Sequence, residues 1–264
     1  MPSTPRFYGM MNVKNEERYI RDSIKSILPL CDFVFVVDDG STDNTKRVCF
    51  DLGPRVVVFS RPENLPSKNG QGWSGLTDKT ALKNFIYGQL LNCVTDQVIG
   101  EDSRDWVIAI DGDEVLRYAT IDRVFDFASK TKAKSLSTRI HYLWNDPGTV
   151  RVDGCYGKMV RPSIFRIINP EFKFQPTPFP CNFHCPNVPQ ELVGHSEKIP
   201  GVDIIHYGYM EQDTRIRKWL WRQVVDGGNR AEDYYLHTIL GDVPSLPRET
   251  QLKWAGPLQL EPLK

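Results

Sequence analysis

The sequence predicts an α/β fold in which helices flank a doubly wound, mostly parallel central sheet. Strand-like and helix-like patterns alternate from residue 7 to residue 110, and this alternation is typical of helices that cross over a parallel sheet. Residues 33–37 and 106–110 are apolar throughout, as expected of strands that are buried on both faces. After residue 114 the alternation loosens, and we expect a more elaborate second half.

The elements of the first half follow from hydrophobic periodicity and from residues that start or stop helices. In the first helix Ile20, Ile24 and Ile27 recur at the spacing of one helix face, and Pro29 ends the helix. Asp78 is placed to cap the helix that precedes the second apolar strand. The predicted strands are 7–11, 33–37, 55–59 and 106–110, the predicted helices are 16–28, 46–52 and 79–93, and a long loop covers 61–75.

The second half contains fewer clear elements and more prolines. Residues 170–200 hold seven prolines, which predicts largely irregular backbone. Arg215 and Lys218 recur on one face of a predicted helix, and Gly227 ends that helix. The predicted strands of this half are 134–142, 163–168 and 202–205, and the predicted helix is 214–225.

The composition is that of an ordinary globular protein with no dominant charge. The chain has 264 residues, is 40% hydrophobic and 25% charged, and its 33 Lys and Arg equal its 33 Asp and Glu. This balance gives no strong field toward nucleic acid or an anionic membrane. No apolar run is long enough to span a bilayer, and residues 1–6 lack the apolar core of a signal peptide. We therefore expect a cytoplasmic protein without stable membrane insertion, whose six cysteines are thiols.

The most informative stretch is the acidic turn that ends the apolar strand at 106–110. Asp111, Gly112, Asp113 and Glu114 follow that strand directly. Three carboxylates so close together repel one another unless a positive charge lies between them, and hard divalent cations prefer oxygen ligands. In open α/β sheets, ligands bind beyond the carboxyl ends of the strands. The turn therefore predicts a divalent-cation site, with a simple acidic turn after a core strand as the alternative.

Four motifs in order resemble family 2 glycosyltransferases of the GT-A fold. They are NVKNEE at 12–17, VDDGSTD at 37–43, Lys83-Asn84 on the third helix and Asp111-Gly112-Asp113. Lys83 stands where the family usually has arginine. The KNEE and DGDE forms are most like the subgroup that includes lipopolysaccharide-core glucosyltransferases. The resemblance covers residues 6–115 well and 116–240 loosely.

The resemblance implies one GT-A domain over residues 1–264. Residues 1–115 would bind the nucleotide-sugar, 116–240 would form an elaborated acceptor-side half, and 241–264 would be a C-terminal tail. The implied activity is metal-dependent transfer of a sugar, with inversion, from a nucleotide-diphosphate sugar, a UDP-sugar being favoured. A metal aimed at the leaving diphosphate would stabilise its charge. The acceptor hydroxyl is left open among a glycan, a lipid carrier, a protein and a modified nucleic-acid base.

The resemblance also implies site roles, residue by residue. Asp39 would hydrogen-bond the nucleotide base. Asp111 would contact the ribose or the metal, and Asp113 would bind Mn²⁺ or Mg²⁺ directly. The other positions assigned to the nucleotide-sugar are Asn12, Val13, Lys14, Lys83, Gly112, Arg215 and Lys218.

His206 and the basic residues after it complete the implied site. His206 ends a predicted strand, many GT-A enzymes complete the metal site with a late histidine, and neutral imidazole suits Mn²⁺. The alternative is a histidine that only packs at a strand end. Arg215, as a fork, and Lys218, as a point charge, could meet the diphosphate, or they could form a solvated basic face.

An inverting transfer needs a base to take the proton of the acceptor, and no residue matches clearly. Glu191 and Glu197 rank first among the carboxylates of the second half, followed by Asp146 and Asp153. Because the base is unassigned, a non-catalytic nucleotide- or sugar-binding module remains an alternative. A sugar-nucleotide nucleotidyltransferase is another, although the turn at 12–17 has no glycine to cradle a triphosphate.

Three further patterns have a functional and a structural interpretation. Cys181, His184 and Cys185 suggest zinc, but no second ligand pair follows, and packed thiols are the better interpretation. Three tryptophans could stack on sugar rings or lie in the core. They are Trp144, Trp219 and Trp221. Arg151 and Arg161 could contact an anionic acceptor or face solvent.

Overall fold

A mixed sheet with helices on both faces forms the framework of the protein. The computed structural model describes residues 4–65, 67–68, 76–94, 103–154, 156–176, 185–225 and 258–264. In these ranges the strands are β1 (Arg6–Val13), β2 (Phe33–Asp38), β3 (Val56–Ser60), β4 (Ser67–Lys68), β5 (Leu76–Thr77), β6 (Asp105–Ala109), β7 (Glu114–Tyr118), β8 (Ser135–Trp144), β9 (Asp146–Arg151), β10 (Val160–Arg166), β11 (Ser196–His206) and β12 (Leu260–Pro262). The helices are α1 (Ile20–Ile27), α2 (Thr45–Phe50), α3 (Lys79–Cys93), α4 (Ile121–Lys130) and α5 (Gln212–Val225), and a short 3-10 helix covers Gln190–Leu192.

The first half contains the predicted parallel sheet. Strands β3, β2, β1 and β6 lie side by side in that order and run parallel. Apolar side chains pack on both faces of these strands, against Ile20 and Ile24 of α1 in one cluster and against Leu82 and Ile86 of α3 in the other. The predicted α/β fold, with a parallel central sheet flanked by helices, is therefore confirmed.

The second half extends the same sheet with antiparallel strands. β10 pairs antiparallel with β6, β8 pairs antiparallel with β10, and β9 pairs antiparallel with β8. β11 runs parallel to β8 and antiparallel to β7, and β12 joins the edge beside β9. The complete sheet is thus mixed, and its continuous parallel block is the one formed by β3, β2, β1 and β6.

Seven elements within the described residues are missing from the elements predicted by sequence, and they are β4, β5, β7, β9, α4, the 3-10 helix and β12. β7 begins at Glu114, directly after the acidic turn, and does not alternate cleanly between buried and exposed residues. α4 is capped by Thr120, whose side chain accepts a hydrogen bond from the Arg123 N–H, and it buries only Val124 and Ala128. The apolar residues of α4 nevertheless recur at the spacing of one helix face, with Val124, Phe125 and Ala128 following Ile121, so the sequence does carry a signal for this helix.

The turn between β1 and α1 is longer than predicted. α1 begins at Ile20 and not near residue 16. The main-chain N–H of Asn15 donates to Ser41 Oγ at 2.9 Å, and that of Glu16 donates to Thr45 Oγ1 at 2.7 Å. These bonds tie the turn to the segment between β2 and α2, so residues 14–19 lie over the carboxyl ends of the parallel strands.

The strand register decides which residues are neighbours at that edge of the sheet. β2 and β6 both pair in parallel with β1. Extending the two pairings by one or two residues beyond the strand ends brings Asp111 level with Asn12 and Asp39 level with Lys14. Neighbouring strands lie about 4.8 Å apart, so the motif residues of the first half meet at one edge.

The described residues bear on two expectations, the absence of a membrane span and the thiol state of the cysteines. No helix there is long and apolar enough to cross a membrane. Cys31 and Cys49 are buried thiols, and burial raises the pKa of Cys49 to about 12, so this thiol stays protonated at neutral pH. Cys181 and His184, which were considered for zinc, lie outside the described residues, as do residues 226–257 of the C-terminal region.

Candidate nucleotide and cation site

The acidic turn after β6 is held by a hydrogen bond to the side chain of its own buried glutamate. Glu114 is fully buried, and its Oε2 accepts a hydrogen bond from the main-chain N–H of Asp111 at 3.0 Å. At Gly112 a Cβ would lie 2.9 Å from Glu16 Cγ and 3.1 Å from Val13 Cγ1. The turn therefore requires glycine there, and it leaves the Asp111 side chain 42% exposed.

Asp113 lies at the centre of a compact cluster built by distant elements. Its Oδ2 is 3.0 Å from Lys218 Nζ on α5, and its Oδ1 is 4.0 Å from His206 Nε2 at the end of β11. The main-chain oxygen of Asp113 accepts a hydrogen bond from the Tyr207 N–H at 2.9 Å. A Cβ on Gly208 would lie 2.1 Å from Asp113 Oδ2, so the turn after β11 comes this close only because that residue is glycine.

The charges of this cluster shift one another's pKa values. Burial by itself would raise the pKa of Asp113, but Lys218 and His206 outweigh it and hold this pKa well below its usual range. Burial would lower the pKa of Lys218, but Asp113 outweighs it and the pKa is raised. Burial and the nearby Asp113 charge raise the pKa of Glu16 to about 8. At neutral pH the cluster therefore contains an Asp113–Lys218 ion pair beside a protonated Glu16.

Arg161 of β10 lies against the acidic turn. Its NH2 donates to Glu114 Oε2 at 2.5 Å, and its NH1 lies 3.9 Å from Asp111 Oδ2. Burial would raise the pKa of Asp111, but Arg161 and Lys83 outweigh it and lower this pKa. The guanidinium of Arg161 thus pairs with carboxylates of the turn, whereas the sequence left open a contact to an anionic acceptor and a position facing solvent.

The end of β2 forms a second acidic position on the same edge. The Asp39 carboxylate lies 3.8 Å from Lys14 Nζ and 3.3 Å from Arg61 NH1. The Asp39 N–H donates to Val13 O at 2.8 Å, while the Val13 side chain is buried in the core. Val13 can therefore offer only backbone to a ligand, whereas Asn12 is half-buried at the strand end.

A pocket of about 610 Å³ opens beside Asp113. It lies between the turn after β1, the turn before α2 and the first turns of α5. Its lining includes Asn15, Glu16, Tyr19, Thr42, Asp113, Gly208, Arg217 and Lys218. Small-molecule sites span roughly 300–1,000 Å³, so the pocket is large enough for a ligand that reaches the acidic cluster.

The donor atoms of the cluster fit a divalent cation in part. Asp111 and Asp113 offer the oxygen atoms that Mg²⁺ and Mn²⁺ prefer, but among the described residues no three His, Cys, Asp or Glu side chains form a complete ligand group. His206 Nδ1 accepts a hydrogen bond from the Gly208 N–H at 3.0 Å, which places the proton of neutral imidazole on Nε2. The carboxylates can bind the cation as they are placed. His206 Nε2 can bind it only after its proton moves to Nδ1, which requires the hydrogen bond from the Gly208 N–H to Nδ1 to break.

Lys83, which was assigned to the nucleotide-sugar, is tied to protein atoms. It is buried, and its ammonium donates to Cys185 O at 2.9 Å, to Pro186 O at 2.9 Å and to Asn187 Oδ1 at 2.6 Å. An ammonium has three donors, and all three are used. Lys83 therefore reaches the site only through its charge, which lowers the pKa of Asp111 together with Arg161, against the opposing effect of burial.

Arg215, which was assigned to the diphosphate, supports the loop after β11. It is fully buried, and its NH1 donates to Tyr209 O at 2.7 Å and to Met210 O at 2.8 Å. Trp144 is also fully buried, with the Arg215 and Arg151 guanidinium carbons 4.2 Å and 4.5 Å from its ring centroid. The structure brings neither Arg215 nor the Trp144 ring to the pocket, so a sugar cannot stack on Trp144.

Glu197 lies far from the Asp113 cluster. It pairs with Leu136 of β8, whereas His206 pairs with Tyr142, six positions further along the same strand. Six residues of extended strand span about 20 Å. The Glu197 carboxylate also accepts a hydrogen bond from Thr131 Oγ1 at 2.5 Å, at the other end of the sheet.

The other candidate bases are also spread over the molecule. Glu191 is exposed on the 3-10 helix, and Asp153 is buried in an ion pair with Arg151 at 2.9 Å. Asp146 is exposed at the start of β9, directly after Asn145, whose N–H donates to the loop after β11 at 2.7 Å. Of these candidates, Asp146 is the one whose chain neighbour is bonded to the loop carrying Gly208, while its own carboxylate accepts a hydrogen bond from the Gly148 N–H at 2.8 Å.

Three residues of the site were not singled out from the sequence. Glu16 lies inside the NVKNEE motif, so its place beside the acidic turn could have been inferred from that motif. Gly208 stands between two tyrosines after His206, and a glycine next to a candidate ligand is a usable signal of close approach. Arg61 follows β3 without any motif, and only the structure brings it to Asp39.

Comparison with known proteins finds a family match to one segment of the first half of the chain. Residues 10–71 match the family Glycosyl transferase family 2. The match begins in β1 and ends beyond β3, so it includes Asn12, Lys14 and Asp39 but not the acidic turn. The chain is 30% identical to an uncharacterized glycosyltransferase of Rickettsia typhi over 131 residues. This alignment covers 49% of this chain and 36% of that protein. It is 28% identical to an uncharacterized glycosyltransferase of Rickettsia conorii over 141 residues. That alignment covers 53% of this chain and 40% of the relative.

The chain therefore spans well under half the length of these two relatives. Among solved structures, residues 1–349 of S. aureus TarS in complex with UDP-GlcNAc align with a TM-score of 0.50 and 14% identity. The alignment covers 92% of this chain and 74% of that one. This similarity shows a shared fold, and the predicted GT-A type of α/β fold is confirmed.

Proposed function

We propose that this chain transfers a sugar from a nucleotide-diphosphate sugar to an acceptor hydroxyl. The observation that carries the proposal is the position of Asp39, Asp111 and Asp113 at one edge of the parallel sheet, where Asp113 and Lys218 line a pocket. Ligands of open α/β sheets bind at this edge. The match to glycosyl transferase family 2 and the glycosyltransferase relatives support the same class of reaction.

Each residue of the edge has a task in the proposed reaction. Asp39 accepts a hydrogen bond from the nucleotide base next to Asn12, and Asp111 binds the ribose or the cation. Mn²⁺ or Mg²⁺ held by the carboxylates supplies Lewis-acid stabilisation of the diphosphate leaving group. Lys218 adds a positive charge to the same leaving group, as a point charge without fixed geometry. The pocket beside Asp113 encloses the sugar.

The finer features of the reaction are part of the proposal. We infer transfer with inversion and take Asp146 as the first base to test, because its turn is bonded to the loop after β11. A UDP-sugar is favoured, and the fold is shared with a protein solved with UDP-GlcNAc. The KNEE and DGDE forms are most like the subgroup that includes lipopolysaccharide-core glucosyltransferases, so UDP-glucose is the first donor to test.

The first experiment is a melting-temperature series on the full chain with UDP, GDP, dTDP and CMP, each with and without Mn²⁺. A ligand at a hundred times its Kd adds about 2.7 kcal/mol of stability, which raises the melting temperature of a chain this size by roughly 5–10 °C. Asp113→Asn should abolish the shift that depends on Mn²⁺. Asp126→Asn, on the exposed face of α4, is the matched control and should keep the shift.

Turnover is then measured as UDP release from UDP-glucose with glycan, lipid-carrier, protein and nucleic-acid acceptors. Release that requires one acceptor class supports the transferase proposal, and Asp146→Asn should slow it without loss of nucleotide binding. Stabilisation without release on any acceptor would instead indicate a non-catalytic nucleotide-binding module. If no nucleotide stabilises the chain, the proposed donor site is refuted.

A further inference from the structure

Lys218 already neutralises the carboxylate that the proposed function assigns to a divalent cation. Its ammonium reaches Asp113 Oδ2 at 3.0 Å from α5, 105 residues further along the chain. The Asp113 side chain is 9% exposed and that of Lys218 is 32% exposed. Hydrogen bonds between ionised groups are shorter and stronger than neutral ones, so this contact must be broken or shared when another cation binds.

The cluster is too tightly packed for two cations on the same carboxylate oxygen. The main chain at Gly208 approaches so closely that a Cβ would lie 2.1 Å from Asp113 Oδ2 and 2.4 Å from Lys218 Nζ. A metal ion bound to Oδ2 at about 2.1 Å would lie within roughly 5 Å of Nζ, where like charges repel strongly in a partly buried site. Binding of the metal to Oδ2 therefore requires the ammonium to move away.

The pocket offers the displaced ammonium other partners. Glu16 lines the same pocket, and its carboxyl group, protonated at neutral pH, can still accept a hydrogen bond from the ammonium on its carbonyl oxygen. The ring of Tyr209 lies 5.3 Å from Lys218 Nζ, within the range of a cation–π contact. A lysine carries its charge on a flexible four-carbon stem, so it can leave Asp113 while the helix stays in place. A bound diphosphate would be a stronger partner than any of these.

We propose that Lys218 and a divalent cation compete for Asp113, and that Lys218 transfers to the diphosphate of the donor when the cation binds. The inference rests on the proposed function for the identity of the cation and of the donor. The competition predicts that loss of the Lys218 charge changes the affinities for the cation and for UDP in opposite directions. Removing the Lys218 charge strengthens binding of the metal to the nucleotide-free protein and weakens binding of UDP.

The test measures Mn²⁺ binding to the full chain without nucleotide, using electron paramagnetic resonance of the free ion. Lys218→Met keeps the apolar stem, removes the charge and should bind Mn²⁺ about tenfold more tightly, a change of about 1.4 kcal/mol. Lys218→Gln, which is also neutral but keeps a donor, should shift affinity in the same direction. Lys218→Arg retains the charge and should bind no more tightly than the wild type.

Arg217→Met is the matched control for general electrostatics. Arg217 lines the same pocket and carries the same charge, but its Nε donates to Asp213 O and its NH2 to Thr214 Oγ1. Because exposed charges are screened by salt, this variant should keep Mn²⁺ affinity within about twofold of the wild type. A gain as large as that of Lys218→Met would show a field effect in place of competition and would overturn the proposal.

Two further outcomes also overturn the competition. One is an unchanged or weaker Mn²⁺ affinity in both neutral variants, and the other is the absence of Mn²⁺ binding in every protein. Calorimetry with UDP separates this failure from failure of the proposed function. Wild-type protein that binds UDP while the neutral variants leave Mn²⁺ affinity unchanged refutes only the competition. Wild-type protein that binds no UDP, with or without Mn²⁺, refutes the donor site itself.

Discussion

Replacing Arg215 with methionine separates a structural role from a role in nucleotide binding. The sequence places Arg215 on the same helix face as Lys218, whereas the structure buries it completely. Its NH1 donates to Tyr209 O and Met210 O, and its NH2 donates to Asn145 Oδ1 at 3.1 Å. Methionine keeps the apolar stem and loses all of these bonds.

The expected loss of stability follows from those contacts. Hydrogen bonds to a charged group contribute about 1.5–3 kcal/mol net, and the guanidinium 4.2 Å from the Trp144 ring centroid adds about 0.5–2 kcal/mol. Met210 O keeps the Asn145 N–H as a donor, which limits the damage to the loop. We therefore expect Arg215→Met to lower the free energy of unfolding by about 3–5 kcal/mol, or the melting temperature by at least roughly 6 °C.

The assay is urea denaturation of the wild type, Arg215→Met and Arg217→Met, together with UDP calorimetry at a temperature where all three are folded. Arg217 is exposed two positions further along α5, and its replacement should change the free energy of unfolding by less than about 0.5 kcal/mol. If Arg215→Met lost less than about 1 kcal/mol while UDP affinity fell sharply, Arg215 would be a ligand of the nucleotide and the structural role would be refuted.

Three other predictions concern the packing and charge of the site. Gly208→Ala should abolish Mn²⁺-dependent UDP binding in calorimetry, because its Cβ would lie 2.1 Å from Asp113 Oδ2. Gly88→Ala is the control and should bind UDP normally, since a Cβ there would have nothing within 4 Å. Arg161→Met should lower the free energy of unfolding by about 3–5 kcal/mol in urea, since it leaves the buried Glu114 carboxylate without its cationic partner. A loss near zero would contradict that pairing. The pKa of Glu16 is about 8 when folded and about 4.3 when unfolded, so the folded chain keeps a proton that the unfolded chain loses. This contribution to stability is full below about pH 4 and falls as the pH rises to 8; Glu16→Gln should flatten the decline in melting temperature between pH 5 and 8, and an unchanged slope would show that Glu16 does not titrate there.

The position of the site could be predicted because it depends on local patterns. A continuous apolar run predicts a buried parallel strand, and the carboxyl ends of such strands meet at one edge. The residues after the runs at 33–37 and 106–110 therefore had to lie close together, and the structure places Asp39, Asp111 and Asp113 there. Helices α1 and α3 were also predicted from their apolar residues, and α4 carries a comparable pattern in Ile121, Val124, Phe125 and Ala128 that the predicted elements leave out.

The ion pairs of the acidic turn with Arg161 and Lys218 were not predicted from the residues, because both partners come from elements far along the chain. Arg161 reaches Glu114 across 47 residues, and Lys218 reaches Asp113 across 105 residues. Both contacts depend on how the antiparallel strands and α5 pack onto the parallel block. Sequence periodicity contains no information about that packing when the connecting segments are irregular.

Helix α5 shows the division most clearly. Its periodicity alone determined that Arg215 and Lys218 share a face, and the structure agrees, since both point toward the body of the protein. Only the tertiary structure decided that Arg215 is buried against main-chain carbonyls and that Lys218, one turn further on, reaches a carboxylate beside the pocket. The physical reason is that a helix pattern fixes the direction of a side chain, whereas its role depends on which charges and carbonyls the rest of the fold brings to that place.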